Sequence, residues 1–392
     1  MKIFKNEPKF KFMKKRYIAF LLSGLIILAG FYSFYSKGFN LGIDFTGGTM
    51  VEVSFMKNIS VGEIRSMMKK IGLSKSEITR VGNTGNKFFI KTEQSLDKNV
   101  SNEKASRLKD ANLHEEITNR IKDIFMTDEE RGYLSQGKID INNSAKKRIT
   151  DFLASNGISH DIAADSAEKI DKLKKEKSKG LIDGIAEIEQ LDLKKRVISI
   201  LKEKAFFGNF TFLSNDYVGS QVGRKLRQQA TLATVWAMIG MLLYIGFRFR
   251  FIFGIAAVVT LLHDVLVTLS FILFFNVEVT LTVIAAILTI VGYSLNDTIV
   301  IFDRVRDNLK LMRRDNAEAI LDRSINQTLS RTIVTSGTTL LTVLALFFLG
   351  GEVIHAFSFT LLVGIVIGTY SSIFQSCAWL RIWEKHFLKK KK

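Results

Sequence analysis

The sequence predicts an α-helical polytopic membrane protein with six transmembrane helices and an external α+β domain carrying a helical insertion. Three observations predict it. Six separated apolar runs, each long enough to cross a bilayer as a helix, punctuate the 392-residue chain. Acids and amides stand inside some of those runs, where they are expensive and read as functional by default. Between the first and second runs lies a long polar stretch in which strand-like alternation gives way to helical spacing.

Composition narrows the function classes. The chain has 56 Lys and Arg against 38 Asp and Glu, a formal charge of +18, with one proline and one cysteine, Cys377. One cysteine makes neither an internal disulfide nor a Cys-based metal site. No nucleophile–base–acid arrangement and no zinc-ligand spacing occurs, so the expectation is a non-enzyme without cofactor or metal. The basic charge raises the question of nucleic acid, but no stacking or groove-binding module accompanies it, and its placement has another explanation.

Residues 1–16 hold six lysines and Arg16, and the apolar run 17–36 follows. The run is longer than the core of a signal peptide and no small-x-small site closes it, so it reads as a retained first span. The polar stretch 37–229 opens with LGIDFTGGTMVEVSF, in which Met50, Val51, Val53 and Phe55 read as a strand behind the Gly47–Gly48 turn. Ile64, Met67, Met68 and Ile71 take helical spacing, Gly72 suits the helix end, and 86–92 reads as a second strand. From 95 to 200 the chain is rich in Lys, Glu, Asp, Asn and Ser. Helical stretches are expected near 102–126, 142–155 and 161–204, as an added helical subdomain. Residues 206–214, FFGNFTFLS, read as a returning strand.

Five further spans are expected at about 230–247, 251–275, 279–302, 332–349 and 354–380, and 381–392 forms a basic tail. The segment 303–331 is expected as a charged, amphipathic surface loop. Outside 37–229 there are 22 Lys and Arg, and with six spans they fall in 1–16, 248–250, 304–331 and 381–392, all on one side. The opposite turns, 276–278 and 350–353, carry only Glu278 and Glu352. This is a positive-inside pattern with both termini cytoplasmic. The +18 charge is thus largely a topology and anionic-lipid device.

Asp297, beside Asn296, lies near the cytoplasmic end of the fourth span. Tyr293, Asn296, Asp297, Val300 and Arg304 follow three-and-four spacing and are expected on one face, with Gly292 admitting a neighbouring backbone. The fifth span begins at Arg331, at roughly the same depth as Asp297, which makes Arg331 a partner for the carboxylate, directly or through water. The third span adds His263 and Asp264, on a polar face with Thr260 and Thr268. Three readings of Asp297 stay open on these residues: an ion pair that only holds helices together, a proton site in a transport cycle, and an ion or substrate ligand. The second rests on the fact that protonation cancels the charge of Asp, whereas Arg stays charged.

LGIDFTGGTMVEVSF, LLHDVLVTLSFILFF, VGYSLNDTIVIFDRVRDN and NQTLSRTIVTSGTTLLTVLALFFLGG, in that order, resemble the SecD/SecF family of bacterial protein-export membrane proteins, which belongs with the proton-driven resistance-nodulation-division superfamily. The resemblance covers about 17–92 and 206–380, and NDTIVIFDRVR favours the SecF branch. It implies an auxiliary subunit of the Sec translocase in the inner membrane. Its partners would be SecD, the SecYEG channel, the SecA motor and the translocating preprotein, with the proton-motive force driving the cycle. It further implies that Asp297 is the proton-responsive acid, that Arg331 is its basic partner, and that His263–Asp264 is the family's third-span pair. Asp44, Gly47 and Gly48 would shape the junction of the external domain with the first span. The polar stretch is longer than the compact external domain that the family leads one to expect, which is why 95–200 reads as inserted. The alternatives are a proton-driven exporter of small molecules or lipids in the same superfamily, and a structural membrane subunit without proton coupling.

Overall fold

The computed structural model describes residues 7–81, 85–92, 110–177, 179–248, 251–312 and 314–388. The start of the helix expected at 102–126, the opening of the 95–200 region and the Lys389–Lys392 tail lie outside the described residues. The chain forms two compact units, one of Met1–Phe45 with Lys225–Lys392 and one of Thr46–Arg224. Six helices are long and apolar enough to cross a membrane, and the second unit is a mixed α/β domain, so the predicted fold class holds.

The first span is α1 (Arg16–Lys37), ending at Gly38. A one-turn helix α2 (Ile43–Thr46) follows. Gly47 (φ 72°) and Gly48 (φ 136°) then turn the chain through backbone conformations that L side chains rarely adopt.

They launch β1 (Gly48–Phe55), and after it come α3 (Val61–Lys70), β2 (Glu77–Val81) and β3 (Lys87–Thr92). Ser60 and Glu63 close a capping box at the start of α3. The helix α4 (Asp110–Phe125) was expected within the insertion, but it packs Leu113, Ile117 and Ile121 into the same core as Val51, Val53, Ile64, Phe88 and Ile90. Next come α5 (Asp128–Ser135), β4 (Ile139–Asp140), α6 (Lys146–Ser155), α7 (His160–Glu176), α8 (Ile185–Glu189), α9 (Lys195–Lys204), β5 (Ala205–Phe206) and β6 (Phe210–Val218). The single helical stretch expected at 161–204 is therefore three helices. Gly180 (φ 66°) lies in the first break, and Gly184 immediately precedes α8.

The main sheet has the order β2-β3-β1-β6 with every pairing antiparallel, and β6 stands at its edge. β4 and β5 form a separate parallel pair. The insertion has its own core, with Ile141, Ile149, Leu153, Ala167, Ile182 and Leu201 buried together. Buried Asn142 stitches it to the strands. Its Nδ2 donates to Ile182 O (3.0 Å) and Gly208 O (2.9 Å), and its Oδ1 accepts from Ile182 N (2.9 Å).

The remaining helices are α10 (Ser220–Arg248), α11 (Phe251–Phe274), α12 (Leu281–Leu311), α13 (Ala317–Leu349), α14 (His355–Phe374) and α15 (Ser376–Leu388). The charged loop expected at 303–331 is instead helical up to Leu311 and again from Ala317 onward. An apolar stripe runs beneath the charges: Val305, Leu321, Ile325 and Leu329 are buried in one cluster with Phe253, Leu261, Leu295 and Phe302. Asn316 caps the start of α13 by accepting from Glu318 N. On the N-terminal side of this hairpin, Phe10 N donates to Asn326, Met13 N donates to Asp322, and Arg16 pairs with Glu318 at 2.8 Å.

Candidate functional site: the polar interior of the helix bundle

α11, α12, α13 and α14 bring most of the chain's intramembrane polar groups together. On α11, Thr260, Asp264 and Thr268 recur every four residues and are all buried. Thr260 and Thr268 return their hydroxyls to carbonyls one turn back, those of Ala256 and Asp264 (both 2.8 Å).

Asp264 is the most enclosed acid of the bundle, at 1% exposure. Its Oδ1 lies 2.9 Å from His263 Nδ1, and its Oδ2 accepts from Ser294 Oγ of α12 at 2.5 Å. Gln375, at the end of α14, donates from Nε2 to Ser23 Oγ (2.7 Å) and stands 3.0 Å from His263 Nε2. With the amide nitrogen as donor, His263 Nε2 accepts, and the proton of a neutral ring sits on Nδ1, facing Asp264.

Asp297 is also buried, one helical turn further along α12 than Ser294. Its Oδ2 accepts from Ser336 Oγ of α13 at 3.2 Å, and Thr369 Oγ1 of α14 lies 2.9 Å from that hydroxyl. Further hydroxyls lie between α12 and α14 beside the two acids. Ser372 Oγ stands 3.0 Å from Thr298 Oγ1 and donates to Ser294 O at 3.5 Å. A hydroxyl donates to a carboxylate and accepts from a carboxylic acid, so these surroundings can serve either protonation state of each Asp.

The other candidate residues are placed differently. Arg331 is exposed; its charge acts on Asp297, but among the described residues the two form no ion pair within 4 Å. Asn296 and Arg304 are exposed while Asp297 is buried, so the shared face expected of them divides. A Cβ added at Gly292 would meet nothing within 4 Å, so no neighbouring backbone approaches there. Adjacent side chains on a helix point about 100° apart, which sends Asn296 outward when Asp297 turns in.

Asp44 acts structurally at the far end of α12. Its Oδ2 accepts from Leu281 N at 2.9 Å, at the positive end of that helix. The chain beside it is laced to the approach of α12 by Gly42 N to Val279 O (2.8 Å) and Val279 N to Asn40 O (2.7 Å). Gly47 and Gly48 belong to the other compact unit, where they begin the sheet.

Sequence reasoning missed Ser294, Thr369, Ser372 and Gln375. A signal was present: GTYSSIFQSC, 368–377, sets five hydroxyl residues and an amide into an otherwise apolar span. Gly364 packs α14 onto α12, since a Cβ there would stand 2.1 Å from Ile290 Cδ1.

Comparison with known proteins agrees with this architecture. Residues 197–386 match the family described as protein export membrane protein SecD/SecF, C-terminal, and residues 32–57 match the SecD/SecF GG motif. A protein translocase subunit SecF of Koribacter versatilis is 39% identical over 386 residues, covering 95% of this chain and 91% of its own. The subunit of the same name from Haemophilus influenzae is 32% identical, covering 95% and 85%. Among solved structures, SecDF of Thermus thermophilus, described as a translocon-associated membrane protein, superposes with a TM-score of 0.65 at 28% identity. That match covers 98% of this chain, which spans 40% of the SecDF chain. On these similarities the chain belongs to the SecD/SecF family of protein-export membrane proteins, within the resistance-nodulation-division superfamily.

Proposed function

We propose that the chain is a subunit of the Sec translocase of the bacterial inner membrane that, with SecD, uses the proton-motive force to promote movement and release of preproteins. The relatives named as SecF translocase subunits, and the description of SecDF as translocon-associated, support the translocase role. The distribution of Lys and Arg supports cytoplasmic termini and an external domain on the opposite side. SecYEG and SecA are the partners this role requires.

One observation carries the proton-coupled part: Asp297 is buried in the bundle, hydrogen-bonded by Ser336 and within reach of the charge on exposed Arg331. A structural ion pair would hold carboxylate and guanidinium together. Here the acid is held by a hydroxyl, which leaves it free to gain and lose a proton as its hydration changes between conformations. Six helices do not readily enclose a protein-sized pore, so the chain acts beside the conduit and not as the conduit.

The test is preprotein export into inverted membrane vesicles at constant ATP, with the proton gradient present or collapsed, for wild type and Asp297→Asn, each with SecD and at matched protein levels. The gradient should speed export for the wild type only. Equal gains in both would make Asp297 structural and overturn its coupling role.

A further inference from the structure

A cavity of about 520 Å³ opens within the second compact unit, where the main sheet meets the insertion. Five lysines line it, against one acid, Asp171. Two of the lysines are neutralised locally. Lys175 pairs with Asp171 at 2.6 Å, and Lys177 pairs with Glu187 and, at 3.7 Å, with Asp183. The other three are not. Lys87 and Lys122 make no ion pair or side-chain hydrogen bond among the described residues. Lys174 Nζ donates to two backbone carbonyls, Ile141 O (3.2 Å) and Ser144 O (3.1 Å), and to no carboxylate.

Three cations facing one recess repel one another and concentrate positive potential there. Burial pushes the Lys174 ammonium below the ordinary lysine value, with the charges of Asp171 and Asp140 pulling the other way. An anion in the recess would relieve both penalties. The rest of the wall says which kind. Phe212 and Leu213 of β6 supply apolar surface, and β6 is the edge strand of its sheet. An apolar strip on an edge strand suits an extended chain, with backbone along the strand and side chains in the recess. A free phosphate has no use for it. The volume is in the range of sites that hold a few side chains.

We propose that this cleft binds an extended polypeptide segment carrying Asp or Glu side chains, which lies along β6 and sets its carboxylates against Lys87, Lys122 and Lys174. That the segment belongs to a protein in transit rests on the function proposed above; the binding itself does not.

The experiment measures binding of fluorescent peptides to the full chain in lipid nanodiscs by anisotropy. The probes are a short peptide alternating Glu with Val, and the same peptide with Gln for Glu. The Glu peptide should bind about tenfold more tightly than the Gln peptide, and added salt should erase the difference. Lys87→Gln with Lys122→Gln should bring the Glu peptide down to the level of the Gln peptide. Lys87→Arg with Lys122→Arg should keep the preference, which separates loss of charge from loss of fold. Equal binding of the two peptides overturns the proposal, as does a double Gln variant that binds like wild type. Displacement of the Glu peptide by equimolar inorganic phosphate or by phosphatidylglycerol vesicles also overturns it, by making the site one for phosphate groups. No proton gradient is involved, so an inactive Asp297→Asn variant leaves this result untouched, and absence of peptide binding leaves proton coupling standing.

Discussion

Ser336 of α13 donates to Asp297 of α12 at 3.2 Å, a bond that ties the fifth span to the buried acid of the fourth. Removing the donor strands a carboxylate oxygen away from water, a loss of about 1–3 kcal/mol for a buried charged group. Ser336→Ala should therefore lower the gradient-dependent part of export several-fold and leave ATP-driven export unchanged, whereas Ser336→Thr should stay near wild type. Unaltered gradient stimulation in the alanine variant would show that this bond plays no part.

The contact between Gly364 and Ile290 gives a packing prediction. Gly364→Ala would drive a methyl group into the isoleucine side chain, which should destabilise the bundle by about 1–3 kcal/mol. Adding Ile290→Ala should recover part of that loss by opening the space. Thermal unfolding of the detergent-solubilised chain reads both, and a double variant less stable than the single one would refute the contact.

Asn142→Ala should loosen the insertion from the sheet. It leaves the buried Ile182 N–H and the Gly208 and Ile182 carbonyls without their side-chain partner, a destabilisation of about 3 kcal/mol. Hydrogen exchange should quicken around Ile182 and Gly208 while the bundle helices keep their protection. Unchanged protection at those two sites would refute the assignment.

His114 should make the second unit sensitive to acid. Its Nδ1 lies 3.0 Å from Thr49 Oγ1, its ring stacks on Tyr217, and burial holds its pKa below the ordinary histidine value, with Glu115 opposing. The unfolded chain then takes up the proton first as pH falls, beginning near about 6.5. The stabilisation is complete above that value and is lost as pH falls through the folded-state pKa. His114→Phe keeps a ring and removes the titration. Hydrogen exchange of β1 and α4, corrected for intrinsic rates, should show a pH-dependent loss below 6.5 in the wild type that the variant lacks; identical profiles would rule His114 out.

Asp297, His263 and Asp264 were legible in the sequence because charged and polar groups stand out against hydrocarbon-length apolar runs. Their surroundings were not. Thr369 can return its hydroxyl to Ile365 O at 2.7 Å, so a threonine in a span is tolerated almost anywhere, and only packing reveals that it also faces Ser336. Arg331 shares a depth with Asp297, but depth does not fix rotation about the helix axis, and its side chain turns outward. In 303–331 Val305 and Ile325 were legible as apolar positions of an amphipathic segment, but the density of charge around them pointed to a surface loop, and only packing shows them buried with Leu321 in the core of the bundle. The sheet was half visible. β1 and β3 alternate clearly, whereas β2, EITRV, offers only Ile78 and Val81 to the core.

The unbroken course of α12 has a mechanical consequence. At about 1.5 Å per residue its 31 residues form a rod about 45 Å long, with Asp297 close to the midpoint. A rod pivoting at its centre swings its two ends in opposite directions, and a tilt of about 5° over a half-length of about 22 Å displaces each end by about 2 Å. If Asp297 takes up a proton as proposed, a tilt about that fulcrum would be felt at once beside Asp44 and at the far end of α12, near Leu311.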